Sequence, residues 1–503
     1  MSLAKRSARA ALWNYGGNIA RTVLQFGIGV LLARLLGPQE FGLVATAVLM
    51  VSLGQLFVDF GFNAAIVQTK DLRQSDIDSL GTLQILLGAG MSALAFVIAG
   101  AIADFFHEPE ATWIIRAMGL MFFLRSIGQN AIALLNRDLR FRAVQISTVG
   151  GYVIGYIGVS VPMAFMGYGA WALVGGQLVQ SALQSALAIH LYGHFHPLTL
   201  KRVRKEMLTF GRLVISANLG SWSLSNVDSL IVGHVLGSTS LAFYNRSMNL
   251  AMAPTQATLS GLQNVLFASA SRAQDNPDGC RRALYFCLEM MMLTLGPVLC
   301  AIAACSSTVL LAIYGKQWIF AAPLLTPLCV AAVVNGLVGL FGPIIMGIGR
   351  IERETRAQWI AALLMAPSVY WATHYSAVAV AWSIIGLYLV RLALLIHALH
   401  AALPLSGARL ARATLPGVVL SSVSAGLTAA ADIMLRGSEF VMLRLTVDVL
   451  AGGAGSIIGF ALCHRVILRG ELGAMLQSTN HLPGFFRSWL VRIRVGDKQQ
   501  SIS

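Results

Sequence analysis

The chain has 503 residues, of which 56% are hydrophobic and only 11% charged, and a formal net charge of +15. A soluble globular protein carries about 25% charged residues, so this composition excludes a soluble enzyme or binding module and indicates an all-α polytopic membrane protein. The six cysteines show none of the paired spacings of a zinc or redox motif, and no cofactor is expected.

Residues 1–10 form a short basic lead with Lys5, Arg6 and Arg9. The apolar stretch that follows is about 25 residues long and holds Asn14, Asn18, Arg21 and Gln25, whereas the core of a signal peptide spans about 7–15 apolar residues. It reads as an uncleaved first span. A bilayer core needs about 20 helical residues, and dividing the chain at its polar and Gly/Pro turns gives about fourteen candidates of that size. Spans 1–6 lie near 12–36, 40–67, 79–103, 111–136, 143–167 and 170–192, within an N-lobe of residues 1–200. Spans 7–12 lie near 208–235, 240–268, 283–306, 322–348, 356–375 and 376–400, within a C-lobe of residues 201–402. Two additional spans, near 413–432 and 440–464, occupy residues 403–468, and a basic tail fills 469–503.

Alternate connections carry the positive charge. They hold Lys70 and Arg73; Arg137, Arg140 and Arg142; Lys201, Arg202, Arg204 and Lys205; Arg272, Arg281 and Arg282; Arg350, Arg353 and Arg356; and Arg409 and Arg412. The intervening connections carry only Lys316 and Arg436. Basic loops stay on the cytoplasmic side, so both termini are expected inside. The net charge is thereby a topology signal and calls for no nucleic-acid partner. In the tail, FFRSWLVRIRV (485–495) mixes aromatics with Arg487, Arg492 and Arg494, as a segment on an anionic membrane surface would. His190, His194 and His196 lack the carboxylate or thiol that would complete a metal site and read as a loop at headgroup level.

One stretch occurs twice. IVGHVLGSTSLAFYN (231–245) repeats LLARLLGPQEFGLVA (31–45) at a constant offset, with Leu36–Gly37 falling on Leu236–Gly237. The register continues through Asn18 on Asn218, Arg21 on Ser221, Gln25 on Ser225 and Asn63 on Gln263. Each copy is two long apolar segments joined by a tight turn. Duplicated helical units in a membrane chain imply two facing lobes, the plan of many secondary transporters.

The polar residues inside the spans fall at helical spacing on single faces. Span 1 carries Asn14, Asn18, Arg21 and Gln25; span 2 carries Ser52, Gln55, Asp59 and Asn63; span 4 carries Arg125, Gln129 and Asn136; span 8 carries Asn245, Asn249, Gln256, Ser260 and Gln263. Hydrocarbon cannot solvate these groups, so the stripes face other helices or a wet cavity. Arg21, Arg125 and Arg246 lie well inside spans, with Arg116, Arg391 and Arg444 as further interior arginines. Fewer acids share that environment: Asp59, Asp228, Glu289 and Asp448, with Asp432 at a span end. Asp228 and Arg246 both fall about 10 Å deep at 1.5 Å per residue, which makes a structural ion pair between them an expectation. The remaining balance is cationic and suits an anionic cargo such as a phosphate, to which arginine presents a planar fork of donors. The expected cargo-binding set is Arg21, Arg125 and Arg246 with Asn18, Gln25, Gln129 and Asn249, and the expected coupling or structural acids are Asp59, Asp228 and Glu289.

LLARLLGPQEFG (31–42), LFVDFGFNAAIVQ (56–68), LLNRDLRF (134–141), NVDSLIVGHVLG (226–237), LAFYNR (241–246) and KQWIFAAPLL (316–325) together resemble the bacterial polysaccharide-transporter family of Wzx-type flippases. That family belongs to the superfamily that also holds multidrug exporters and the peptidoglycan-precursor flippase. The resemblance covers most of residues 10–350. It implies six spans per lobe, alternating access, undecaprenyl-pyrophosphate-linked oligosaccharide as cargo, a proton or sodium gradient as the driving force, and polysaccharide polymerase machinery as a partner. Phe243 stands where a second tyrosine is usual. Two rivals carry less support. A membrane glycosyltransferase or polymerase needs catalytic acids on a large outer loop, and the outer connections here, DFFHEPEA (104–111) and IYGKQWIFAA (313–322) among the longest, are short. A multidrug-type cation antiporter of the same fold wants an acidic lumen.

Overall fold

A computed structural model describes residues 3–69, 71–193, 199, 205–270, 277–400, 402–438 and 440–473. Among them every regular element is helical. In chain order these are α1 (Leu3–Leu35), α2 (Pro38–Asp59), α3 (Phe62–Gln68), α4 (Gln74–Phe105), α5 (Ala111–Arg137), α6 (Phe141–Tyr152), α7 (Val161–Phe165) and α8 (Ala170–Tyr192). A π-helical stretch, Val153–Ser160, joins α6 to α7 in one continuous span. There follow α9 (Lys205–Leu236), α10 (Ser238–Ala270), α11 (Pro277–Ala304), α12 (Ser306–Ile313), a 3₁₀ turn at Lys316–Ala321, and α13 (Ala322–Gly347). The chain closes with α14 (Ile351–Thr373), α15 (Ala377–His400), α16 (Gly407–Met434) and α17 (Val441–Arg469).

The chain is a multi-pass membrane protein. Among the described residues ten stretches are long and apolar enough to cross a bilayer. With no water in the hydrocarbon, only structures that satisfy their own backbone hydrogen bonds can span it, which is why the apolar runs are helices. Four further helices, α1, α9, α10 and α14, reach 33, 32, 33 and 23 residues. They are more polar: α1 and α10 carry two of the polar stripes, α9 holds Asn218, Asn226 and Asp228, and α14 opens on IERETRAQ. Residues 474–503 of the basic tail, which include 485–495, lie outside the described residues together with His194 and His196.

The backbone forms two compact units, residues 1–243 and 244–503. In the first, α4 packs along α5, α5 along α8, and α9 rests on α2 and α3. One core cluster there gathers Phe62, Ile66, Ile77, Leu80, Leu134 and Met207. In the second, α11 packs on α16, α16 on α17, and α13 on α15.

Residues 40–67, expected as one span, divide. α2 stops at Asp59, and Phe60 (φ 37°) and Gly61 (φ 68°) turn the chain into α3. Left-handed backbone is costly for a residue with a side chain, by about 1–2 kcal/mol, so packing must hold it. A Cβ on Gly61 would sit 2.8 Å from Val214, and one on Gly211 would sit 2.5 Å from the Phe60 carbonyl oxygen. Two glycines thus let α9 press on the break. Arg137 completes the joint by donating from Nη1 to the carbonyls of Ile66 and, at 2.7 Å, Thr69. This satisfies orphan carbonyls at the end of α3.

Candidate functional site

The break after α2 fixes the first element of the site. Gln55 and Asp59 lie one turn apart on the last turns of α2, and Gln55 Nε2 donates to Asp59 Oδ1 at 3.0 Å. From α5, Gln129 Nε2 approaches the same oxygen at 3.4 Å. One turn earlier on α5, Arg125 donates from Nε to Ser181 Oγ of α8 at 3.3 Å. Asp59, Tyr156 and Arg21 all lie within electrostatic reach of Arg125. Tyr156 stands in the π-helical stretch, stacked on Tyr152 with ring centroids 4.5 Å apart. Such stretches widen a helix by a residue and recur at functional sites.

Arg21 enters this group from α1. Its Nε is shielded from solvent with no hydrogen-bond partner among the described residues. Neither Arg21 nor Arg125 has an acidic residue one turn away on its own helix. The acid comes from another helix, α2. The group therefore has two guanidinium charges, one carboxylate and a rim of amides and hydroxyls. Asn18 and Gln25 are exposed on α1. Beside them, Gly16, Gly17 and Ala20 of α1 line a cavity of about 530 Å³ with Gln145, Val149 and Gly150 of α6.

Asp228 is buried in α9 of the first unit. In the second unit Arg246 hydrogen-bonds the buried hydroxyl of Tyr314, and Asn249 is exposed. Glu289, also in the second unit, is buried on α11 and accepts the Leu472 backbone N–H at 3.1 Å. The three further interior arginines are each engaged. Arg391 pairs with Glu354 at 3.1 Å and Arg444 with Asp432 at 2.9 Å. Arg116 donates to the Phe96 carbonyl at 3.3 Å and lies over the rings of Phe96 and Trp113. Ser181 and Tyr156 were missed by the stripe analysis. Ser181 sits in an unremarked run, LVQSALQSALA, and Tyr156 reads as one more apolar position.

Against this geometry stand the comparisons with known proteins. Residues 31–323, more than half of the chain, match the family described as "Polysaccharide biosynthesis protein". The chain belongs to this family. It is 23% identical over 384 residues to the lipopolysaccharide biosynthesis protein WzxC of Escherichia coli (strain K12), covering 73% of this chain and 75% of WzxC. It is 25% identical over 351 residues to the succinoglycan biosynthesis transport protein ExoT of Rhizobium meliloti (strain 1021), covering 69% and 70%. Among solved structures, the lipid II flippase MurJ in its inward closed conformation superposes with a TM-score of 0.72 at 13% identity, over 89% of this chain and 98% of MurJ. An inward-facing multidrug-resistance MATE transporter of the MOP superfamily gives 0.58 at 15% identity, over 75% and 92%. This member of the polysaccharide biosynthesis family therefore has the MOP-superfamily fold.

Proposed function

We propose that the protein is a flippase that carries undecaprenyl-pyrophosphate-linked oligosaccharide repeat units across the bacterial cytoplasmic membrane. It serves the synthesis of a surface polysaccharide. In this reading fourteen spans cross the membrane with both termini cytoplasmic, lobes of residues 1–200 and 201–402 alternate access, and an ion gradient drives the cycle. Arg21 and Arg125 receive the pyrophosphate while the lipid tail stays in the bilayer.

The observation that carries the proposal is the charge of the first-unit group: Arg125 has a second guanidinium, Arg21, and a single carboxylate, Asp59, within electrostatic reach, in a polar rim between helices. A charge inside a span costs at least about 2.5 kcal/mol on insertion scales. A lone structural arginine is normally offset by a dedicated acid, as Arg391 is by Glu354. Here the offset is incomplete, and a transient polyanion supplies what is missing. Arginine's fork suits phosphate oxygens. The family assignment agrees with this cargo class, as do relatives described as a succinoglycan transport protein and, at the level of fold, a lipid II flippase. A cationic drug, the rival cargo, would be repelled by the same charge.

The test is purification in lipid followed by mass spectrometry of co-purifying polyprenyl-linked glycans. Wild type should retain a pyrophosphate-linked glycan that an Arg21→Ala/Arg125→Ala double variant loses at least tenfold. Enrichment of organic cations, or of no lipid-linked glycan from cells that make one, would overturn the reading.

A further inference from the structure

The second unit contains a polar cluster that the cargo chemistry does not use. Asp432 lies in the last turn of α16, and Arg444 and Asp448 lie one turn apart near the start of α17. At 1.5 Å per residue, Asp448 is about 10 Å along α17 from its first residue. Arg444 donates to Asp432 Oδ1 from Nε at 3.0 Å and pairs with the same oxygen through Nη2 at 2.9 Å. Thr308 Oγ1 of α12 donates to that oxygen too. Asp432 Oδ1 is thus engaged by one cation and one hydroxyl.

Asp448 is not. Its side chain is 1% exposed, and both carboxylate oxygens lack a hydrogen-bond donor among the described residues. It faces Asp432 closely enough to form a hydrogen bond only if one of the two carboxyls carries a proton. Among the described residues, the groups packed around it offer no second cation. Cys305, which opens α12, is neutral and buried. On α11 the acid Glu289 is bound to the far end of α17, at Leu472. Two carboxylates sharing a water-poor site with a single arginine cannot both stay ionised without a counter-charge.

We propose that Asp448 and Asp432 hold one exchangeable proton between them, and that this pair is the proton-loading site of the transporter. The proton bridges an Asp448 oxygen to Asp432, so that two acids and one arginine together carry no net charge. Deprotonation leaves one excess negative charge, which biases the α16–α17 hairpin and α12 toward a different packing. A sodium ion is the poorer guest. A hard cation wants about six oxygens, whereas this site offers two free ones beside an arginine. The link to transport rests on the flippase reading; the proton itself does not.

The experiment is an infrared pH titration of the purified full-length protein in nanodiscs, following the carbonyl stretch of protonated carboxyl groups between pH 5 and 9. Wild type should show a band that is lost as pH rises. Asp448→Asn should lack that band while keeping a melting temperature near wild type, since the amide mimics the protonated acid. Asp448→Glu should restore a titrating band and guards against a mere folding defect. The proposal is overturned by an Asp448→Asn titration identical to wild type, by a band that never titrates, or by a midpoint that moves when sodium replaces potassium. The coupling role has its own readout, surface polysaccharide output at matched protein level. Asp448→Asn should lose at least tenfold. Undiminished output with the band gone would leave a proton site that does not drive transport, and would overturn the coupling role alone.

Discussion

The two units each hold a small charged cluster, built from the same residue types with opposite balance. In the first, Arg125 lies within electrostatic reach of both Arg21 and Asp59, whose Oδ1 is already bonded to the amides of Gln55 and Gln129. In the second, Asp432 and Asp448 face Arg444. The difference decides what each can hold. An excess guanidinium cannot shed its proton at any working pH, so it can be offset only by an incoming anion. An excess carboxylate can be offset by a proton, the smallest guest available. The first cluster is therefore suited to cargo and the second to an ion that carries energy. The geometry follows the same division. The carboxylate of Asp432 is gripped by three donors, whereas the Arg21 Nε–H has no acceptor among the described residues.

The largest effect should come from removing the single charge that holds the second cluster together. Arg444→Met leaves two buried acids with no cation, and breaking a buried pair costs about 3–5 kcal/mol. Protonating the orphaned acid offers only partial relief, since neutralising a carboxyl at pH 7 itself costs about 4 kcal/mol at 1.36 kcal/mol per pH unit. Thermal unfolding of the purified variant should show this loss, and the loss should shrink at pH 5, where protonation is cheaper. Arg125→Met should cost far less, because Asp59 retains both amide donors. Equal destabilisation by the two variants would break the comparison, since Arg125 would then be structural.

Next in size is transport itself. Arg21→Ala and Arg125→Ala should each lower surface polysaccharide output at least tenfold at matched protein level. The lysine variants should fall in between, because lysine keeps the charge but loses the fork. A tenfold loss corresponds to about 1.4 kcal/mol, well within what one charge-assisted phosphate contact supplies. Wild-type output from both alanine variants would remove the cargo role from this cluster.

What a sequence displays decides how much of this is legible in it. An arginine inside an apolar run is a visible expense, so Arg21, Arg125 and Asp59 could be read directly, as could the helical class and the corner shared by Leu36–Gly37 and Leu236–Gly237. The contact of Asp59 with Gln129 could not be read, because it joins α2 to α5 and no local periodicity reports a tertiary approach. The break at Phe60–Gly61 was hidden for a related reason. FGFNAAI continues the apolar pattern, and the left-handed turn is imposed by α9 pressing on it through Gly211. Arg444 and Asp448 were each noted as interior charges, and their spacing of one turn puts them on one face. What the sequence lacked was Thr308 and the way the hairpin folds Asp432 back beside them.

The smallest effect separates Glu289 from the acids of the proton cluster, with which composition alone had grouped it. Its carboxylate accepts the Leu472 N–H at 3.1 Å, and a Cβ on Gly470 would sit 2.6 Å from Glu289 Oε1, so the chain leaving α17 lies directly on it. This geometry describes an anchor for the end of the last described helix. A glutamine keeps an acceptor oxygen in the same place and loses only the charge assistance. Hydrogen bonds to charged groups contribute about 1.5–3 kcal/mol and neutral ones about 0.5–1.5, so Glu289→Gln should cost about 1 kcal/mol. In a chain of this size that is a drop of a few degrees in Tm at most. Polysaccharide output and the infrared titration should both stay at wild-type values. If output collapses while the protein melts normally, Glu289 carries a proton as well, and the assignment of coupling to Asp448 and Asp432 alone is wrong.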